Sequence, residues 1–184
     1  NFGYWRKVLW QLDTYPQIRK YCDGAAFHYY DGSPEDIDNV RLKYPELEYH
    51  FTEGGPRLYD NYATDWCKWG IVISKALKHG CTTFTGWNLM LDEVGGPNIG
   101  PFFCGGLVTR NSINGELSYS GQYRAFGHFS KFIKRGAEIF PAATSKKGSS
   151  LFAFPDEEKP AEICAALNPD GKFILTVTNP SHEK

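Results

Sequence analysis

The 184-residue sequence has little net charge, −1, so it presents neither a basic field for nucleic acid nor a polybasic patch for an anionic membrane. Nucleic-acid partners are excluded on that ground. An apolar run of about 18 residues is missing, as is a charged-then-apolar leader, so no membrane span and no signal peptide can be read. Methionine occurs once, at Met90, and Asn1 leads straight into a helical pattern, as expected of a piece cut from a longer protein. The five cysteines, Cys22, Cys67, Cys81, Cys104 and Cys164, form no CxxC pair and have no ligand spacing with the histidines. That pattern favours free thiols over a disulfide framework or a zinc site, and no metal or cofactor is expected. A glycine-rich phosphate loop is also lacking, because Gly95-Gly96-Pro97 follows no strand-to-helix turn of the required form. A nucleotide-using enzyme is thereby set aside.

Hydrophobic residues make up 41% of the chain, enough to bury a core. Aromatics reach 16%, with 5 Trp and 11 Tyr, a surplus suited to stacking flat ligand faces. Helical patterns cover residues 4–12 and 16–21, and a buried strand is predicted over 25–30. Ser33-Pro34-Glu35-Asp36 then starts a helix whose inner side is Ile37, Val40 and residues 42–44. A second strand runs to Glu53, where Gly54-Gly55-Pro56 must turn the backbone. Residues 62–79 read as a long helix with Trp66, Trp69, Ile73, Ala76 and Leu77 on its core face, stopped by Gly80. A third strand is predicted over 82–87.

Three strands alternating with helices imply parallel βαβ units. Residues 88–106 read as a long loop, 121–133 as a helix, and 150–154, 163–167 and 173–178 as strands of an antiparallel module. The strand tips carry the chemistry-bearing residues: His28, Tyr29 and Tyr30 on the first, Glu53 on the second, Trp87 and Asn88 on the third. In a parallel sheet these tips converge at one mouth. A carboxylate between a phenol and an indole suits glycoside cleavage: the acid attacks the anomeric carbon, the phenol orients it, and the indole stacks on the pyranose. Blander readings exist for each residue: His28 as a satisfied core histidine, Trp87 as packing, Glu53 as a solvated turn residue. In that case the chain is a carbohydrate-binding or structural piece.

The blocks Phe27-His28-Tyr29-Tyr30, Phe51-Thr52-Glu53, Gly86-Trp87-Asn88-Leu89-Met90-Leu91-Asp92-Glu93 with Gly95-Gly96-Pro97-Asn98, and Gly127-His128-Phe129-Ser130-Lys131-Phe132-Ile133 resemble glycoside hydrolase family 30 in order and spacing. The resemblance covers roughly residues 1–140. It implies a (β/α)8 TIM barrel with a fused antiparallel β-sandwich, acting as a glucosylceramidase-like retaining β-glycosidase. Residues 1–137 would then be the C-terminal part of the barrel, about strands 6 to 8, and residues 138–184 the start of the side domain. Glu53 matches the family's nucleophile and Tyr30 the tyrosine that orients it, while His28, Trp87 and Asn88 match sugar contacts. The expected partner is a β-linked glycoside or oligosaccharide, and the expected compartment is secreted, periplasmic or lysosomal.

The family's acid/base is a glutamate in an Asn-Glu-Pro context, and no such tripeptide occurs here. The missing upstream part of the barrel is expected to carry it. Asp31, Asp92 and Glu93 are the nearby acids, explained by caps and loop turns. Phe102 falls roughly where an asparagine lines the glucosylceramidase pocket, and Gly54-Gly55-Pro56-Arg57 replaces a more apolar segment, which leaves sugar, linkage and aglycone open. Unpaired flanks of the sheet should leave apolar surface exposed and Glu53 open to solvent.

Overall fold

The computed structural model describes residues 1–98, 103–142 and 161–180. Helix α1 (Trp5–Thr14) leads through a 3-10 turn (Pro16–Lys20) into strand β1 (Gly24–His28). A 3-10 turn (Pro34–Ile37) and one α-turn, α2 (Asp38–Arg41), precede β2 (Glu48–Glu53). Helix α3 (Trp66–Lys78) is followed by β3 (Cys81–Phe84). These three strands form a parallel sheet in the order β1-β2-β3, as the alternation of strands and helices predicts.

The local reasons are visible in the side chains. Ser33 and Asp36 form a capping box, with the Ser33 N–H donating to Asp36 Oδ2 at 3.1 Å. Gly80 ends α3 with φ +96°, a left-handed value that suits glycine. Phe2, Phe27 and Phe51 stack beneath the sheet, and Trp69, Ile73 and Ala76 of α3 complete that core. The five cysteines are free thiols.

Several expectations need correction. Strand β1 ends at His28, where the register shifts, so Tyr29 and Tyr30 lie in the bend beyond it. β3 likewise ends at Phe84, which puts Trp87 and Asn88 past the strand. Leu42 is exposed while Ile37, Val40 and Tyr44 are buried, so the inner side of this stretch skips the residue that directly follows the short α2. Trp66 is 46% exposed, not core: as the first residue of α3 it has no preceding turn to fold back upon. The stretch after Asn88 is not a plain loop, since β4 (Met90–Leu91) pairs with β5 (Val108–Arg110), which forms a hairpin with β6 (Leu117–Tyr119).

Helix α4 (Gly121–Ser130) stops three residues before the expected end, and is capped by Ser120, whose Oγ accepts from the Tyr123 N–H. The antiparallel module is present as β7 (Glu138–Phe140), β8 (Glu162–Leu167) and β9 (Phe173–Thr178). The strand expected at 150–154, and Phe102, lie outside the described residues. The module packs on the far side of α3. A Cβ on Gly70 would stand 2.7 Å from Thr178 Oγ1, and Glu162 accepts from Ser74 at 2.7 Å while pairing with Lys78. Thus α3 faces the parallel sheet with one side and the antiparallel one with the other.

Candidate active site

The C-terminal ends of β1 and β2 bring a carboxylate to a rim. His28 and Glu53 are register partners across the two parallel strands, so their side chains emerge side by side. Glu53 Oε1 accepts a hydrogen bond from the Tyr30 hydroxyl at 3.0 Å, and Oε2 lies 3.7 Å from His28 Nδ1. Burial first, then the bond to Glu53 and that carboxylate's charge, push the Tyr30 phenol far above its usual range, with Arg57 pulling the other way. The phenol therefore remains a donor at any working pH. Its partner's side chain is 28% exposed, open enough to meet a ligand.

Beyond β2 the backbone is held tightly. Gly54, Gly55 and Pro56 are buried. A Cβ on Gly55 would stand 1.8 Å from the Trp87 carbonyl oxygen, so only glycine lets the two segments approach this closely. The Trp87 N–H donates to the Gly54 carbonyl at 3.1 Å, which ties the segment after β3 to the residue after the carboxylate. The Trp87 indole is 41% exposed, and Asn88 Nδ2 is a buried donor with no hydrogen-bond partner among the described residues. The three sequence blocks thus meet at one end of the sheet.

The other acids are committed elsewhere. Asp92 Oδ1 accepts from the Val94 and Gly96 N–H groups, and Glu93 accepts from the Ser112 N–H at 2.8 Å. Both carboxylates shape loops. Asp31 packs its carboxylate against Gly3, where a Cβ on that glycine would lie. Among the described residues, no group of three or more His, Cys, Asp or Glu could hold a metal ion.

Two neighbours escaped sequence reasoning. Arg57 returns over the site, its guanidinium carbon 5.5 Å from the Tyr30 ring centroid and its Nη1 donating to Cys104 Sγ at 2.9 Å. The turn at Gly54-Gly55-Pro56 was the available signal. Gln122, fully buried on α4, donates its amide to the Gly54 carbonyl at 2.8 Å. No local pattern marks it. A groove between α3, α4 and β9, lined by Trp66, His128 and Phe132, contains none of the rim residues; it is mainly apolar, and the paired groups that chemistry needs are at the rim instead.

No family model matches the chain. Individual proteins do. The lysosomal acid glucosylceramidase of Mus musculus is 30% identical over 181 residues, 91% of this chain and 33% of that protein. Putative glucosylceramidase 3 of Caenorhabditis elegans is 31% identical over 131 residues, 66% of this chain and 25% of that protein. A solved endo-β1,6-glucanase superimposes with a TM-score of 0.74 at 26% identity, covering 90% of this chain and 36% of that one.

The chain belongs to glycoside hydrolase family 30. It spans a quarter to a third of the length of the curated family 30 proteins it matches. The family 30 chain is a mixed α/β structure with several sheets. Among its described residues no helix is long and apolar enough to cross a membrane.

Proposed function

We propose that the protein carrying this chain is a retaining β-glycoside hydrolase in which Glu53 is the nucleophile. The observation that carries the reading is the Tyr30–Glu53 hydrogen bond at the mouth of a parallel sheet. Tyr30 occupies Oε1 and leaves Oε2 to attack the anomeric carbon. As that bond forms, the glycosidic C–O bond breaks and the leaving oxygen takes a proton from an acid, giving a covalent glycosyl-enzyme. Water, deprotonated by the same group, then displaces Glu53 with overall retention. In this reading His28, Trp87 and Asn88 contact the sugar.

Retention needs a second carboxyl about 5 Å from the first. The hydrogen-bonded roles of Asp92 and Glu93 argue against both. We assign the acid/base to a part of the protein that its relatives possess and this chain does not span. In the same reading residues 1–137 are the C-terminal part of a (β/α)8 barrel, about strands 6 to 8, and residues 138–184 begin a β-sandwich. Residues 1–184 alone would then bind sugar without turnover.

The substrate is a β-linked glucoside or glucan, since the relatives are named glucosylceramidase and endo-β1,6-glucanase. A lysosomal or secreted setting accords with the name of the mouse relative. The test is proton NMR of the first-formed product of the intact protein. A β-anomer, lost together with turnover in Glu53→Gln, is the expected outcome; an α-anomer, or a Glu53→Gln variant that still turns over, would refute the reading. Glu53 inert in a binding module remains the rival, and unchanged sugar affinity with no turnover in the intact protein would favour it.

A further inference from the structure

We infer that Gln122 is a positioning residue for the Glu53 carboxylate and the Trp87 platform, an inference that rests on the glycosidase reading above. Gln122 is wholly buried in the first turn of α4. Its Nε2 must face Gly54, because a carbonyl oxygen only accepts. Its Oε1 is consequently turned away, and among the described residues it has no hydrogen-bond partner. A buried amide oxygen left without a donor destabilises the fold. For stability alone, methionine would serve better there.

What glutamine adds is a second hydrogen bond on the carbonyl that follows the carboxylate. Gly54 O accepts from both Trp87 N–H and Gln122 Nε2, at 3.1 and 2.8 Å, so strand tip, indole segment and helix meet on one atom. One residue earlier, Glu53 O accepts from the Tyr29 N–H at 3.0 Å. The two peptides that follow Glu53 are therefore both held, the first by the segment after β1 and the second by Trp87 and Gln122. The start of α4 is itself fixed, because Gly121 N–H donates to Tyr62 O at 2.7 Å and Ser120 caps the helix. Gln122 thus links a rigid helix end to the spacing between attacking oxygen and sugar platform.

The test compares Gln122→Met, similar in length without the donor, with Gln122→Glu, both in the intact protein. The readouts are first-turnover release of dinitrophenol from a 2,4-dinitrophenyl β-glucoside, KM, and thermal midpoint. A misplaced attacking group should slow the first turnover of Gln122→Met about 10- to 100-fold, with KM little changed and the midpoint equal or higher. In Gln122→Glu an ionised carboxylate repels the Gly54 carbonyl, whereas the protonated acid donates to it. Its rate relative to the unmutated protein should therefore climb as pH falls, since burial raises the pKa of such an acid, while the ratio for Gln122→Met stays flat.

An unchanged first-turnover rate in Gln122→Met, or a flat pH ratio in Gln122→Glu, would overturn the inference. Loss of fold in both variants would do so too, because the residue would then be a structural strut only. Failure of the unmutated protein to release dinitrophenol would instead bring down the glycosidase reading itself.

Discussion

Tyr30 donates its hydroxyl to Glu53 Oε1 across 3.0 Å, although 23 residues separate the two in sequence. The contact exists because β1 and β2 are parallel neighbours whose register sets His28 opposite Glu53, and the bend after His28 swings Tyr30 over the carboxylate. Once substrate covers the rim and excludes water, a hydrogen bond to a charged group contributes about 1.5–3 kcal/mol, and much less while solvent reaches both partners. Tyr30→Phe in the intact protein should therefore lower kcat/KM by roughly one to two orders of magnitude. Its thermal midpoint should barely move, since the side chain is half-exposed. A midpoint that falls in proportion to activity would mark Tyr30 as structural.

The three tryptophans near the site and along α3 separate packing from binding. Trp69 is fully buried and donates to Asp65 Oδ2 at 2.8 Å, so Trp69→Ala should cost about 3–5 kcal/mol of stability. Trp87→Ala should instead weaken sugar binding and leave denaturant unfolding nearly unchanged. Trp66→Ala should alter neither strongly. Equal loss of affinity in all three at equal stability would contradict this assignment.

Two glycines make opposite predictions. Gly55→Ala places a methyl against a backbone carbonyl that cannot move aside, and should destabilise by about 1–3 kcal/mol. Gly127→Ala, in the middle of α4 with nothing within 4 Å of the new Cβ, should be neutral or stabilising by up to about 1 kcal/mol. Chemical denaturation of the two variants checks both.

Acid sensitivity should trace to Glu35. Burial alone would raise its carboxyl, but hydrogen bonds from Lys75 and Ser33 outweigh that and bring it down to about 2. A depressed carboxylate contributes stability that is fully present above the unfolded value of about 4.3. That contribution is lost as pH falls through the folded value. The thermal midpoint of Glu35→Gln should consequently drop less between pH 5 and about pH 2 than that of the unmutated chain. Parallel curves would refute it.

Much of the frame was legible because single residues carry strong local signals. The Ser33 capping box and Gly80 each announce a boundary, and the aromatic run before Glu53 reads as a strand. The β5–β6 hairpin was not legible, since three-residue strands are too short to show a period. Neither was β7, whose pairing with β8 is set by tertiary contact. Trp66 misled because spacing alone cannot say that a residue opens a helix. Gln122 was invisible for a related reason: a polar residue at a helix start reads as solvated, and only the approach of α4 to Gly54 buries it.

The most direct measurement is peptide mapping of the intact protein after inactivation with a 2-deoxy-2-fluoro-β-glucosyl fluoride. The account predicts a single covalent sugar on Glu53, formed more slowly in Tyr30→Phe. A label on another carboxylate, with Glu53 unmodified, would contradict it.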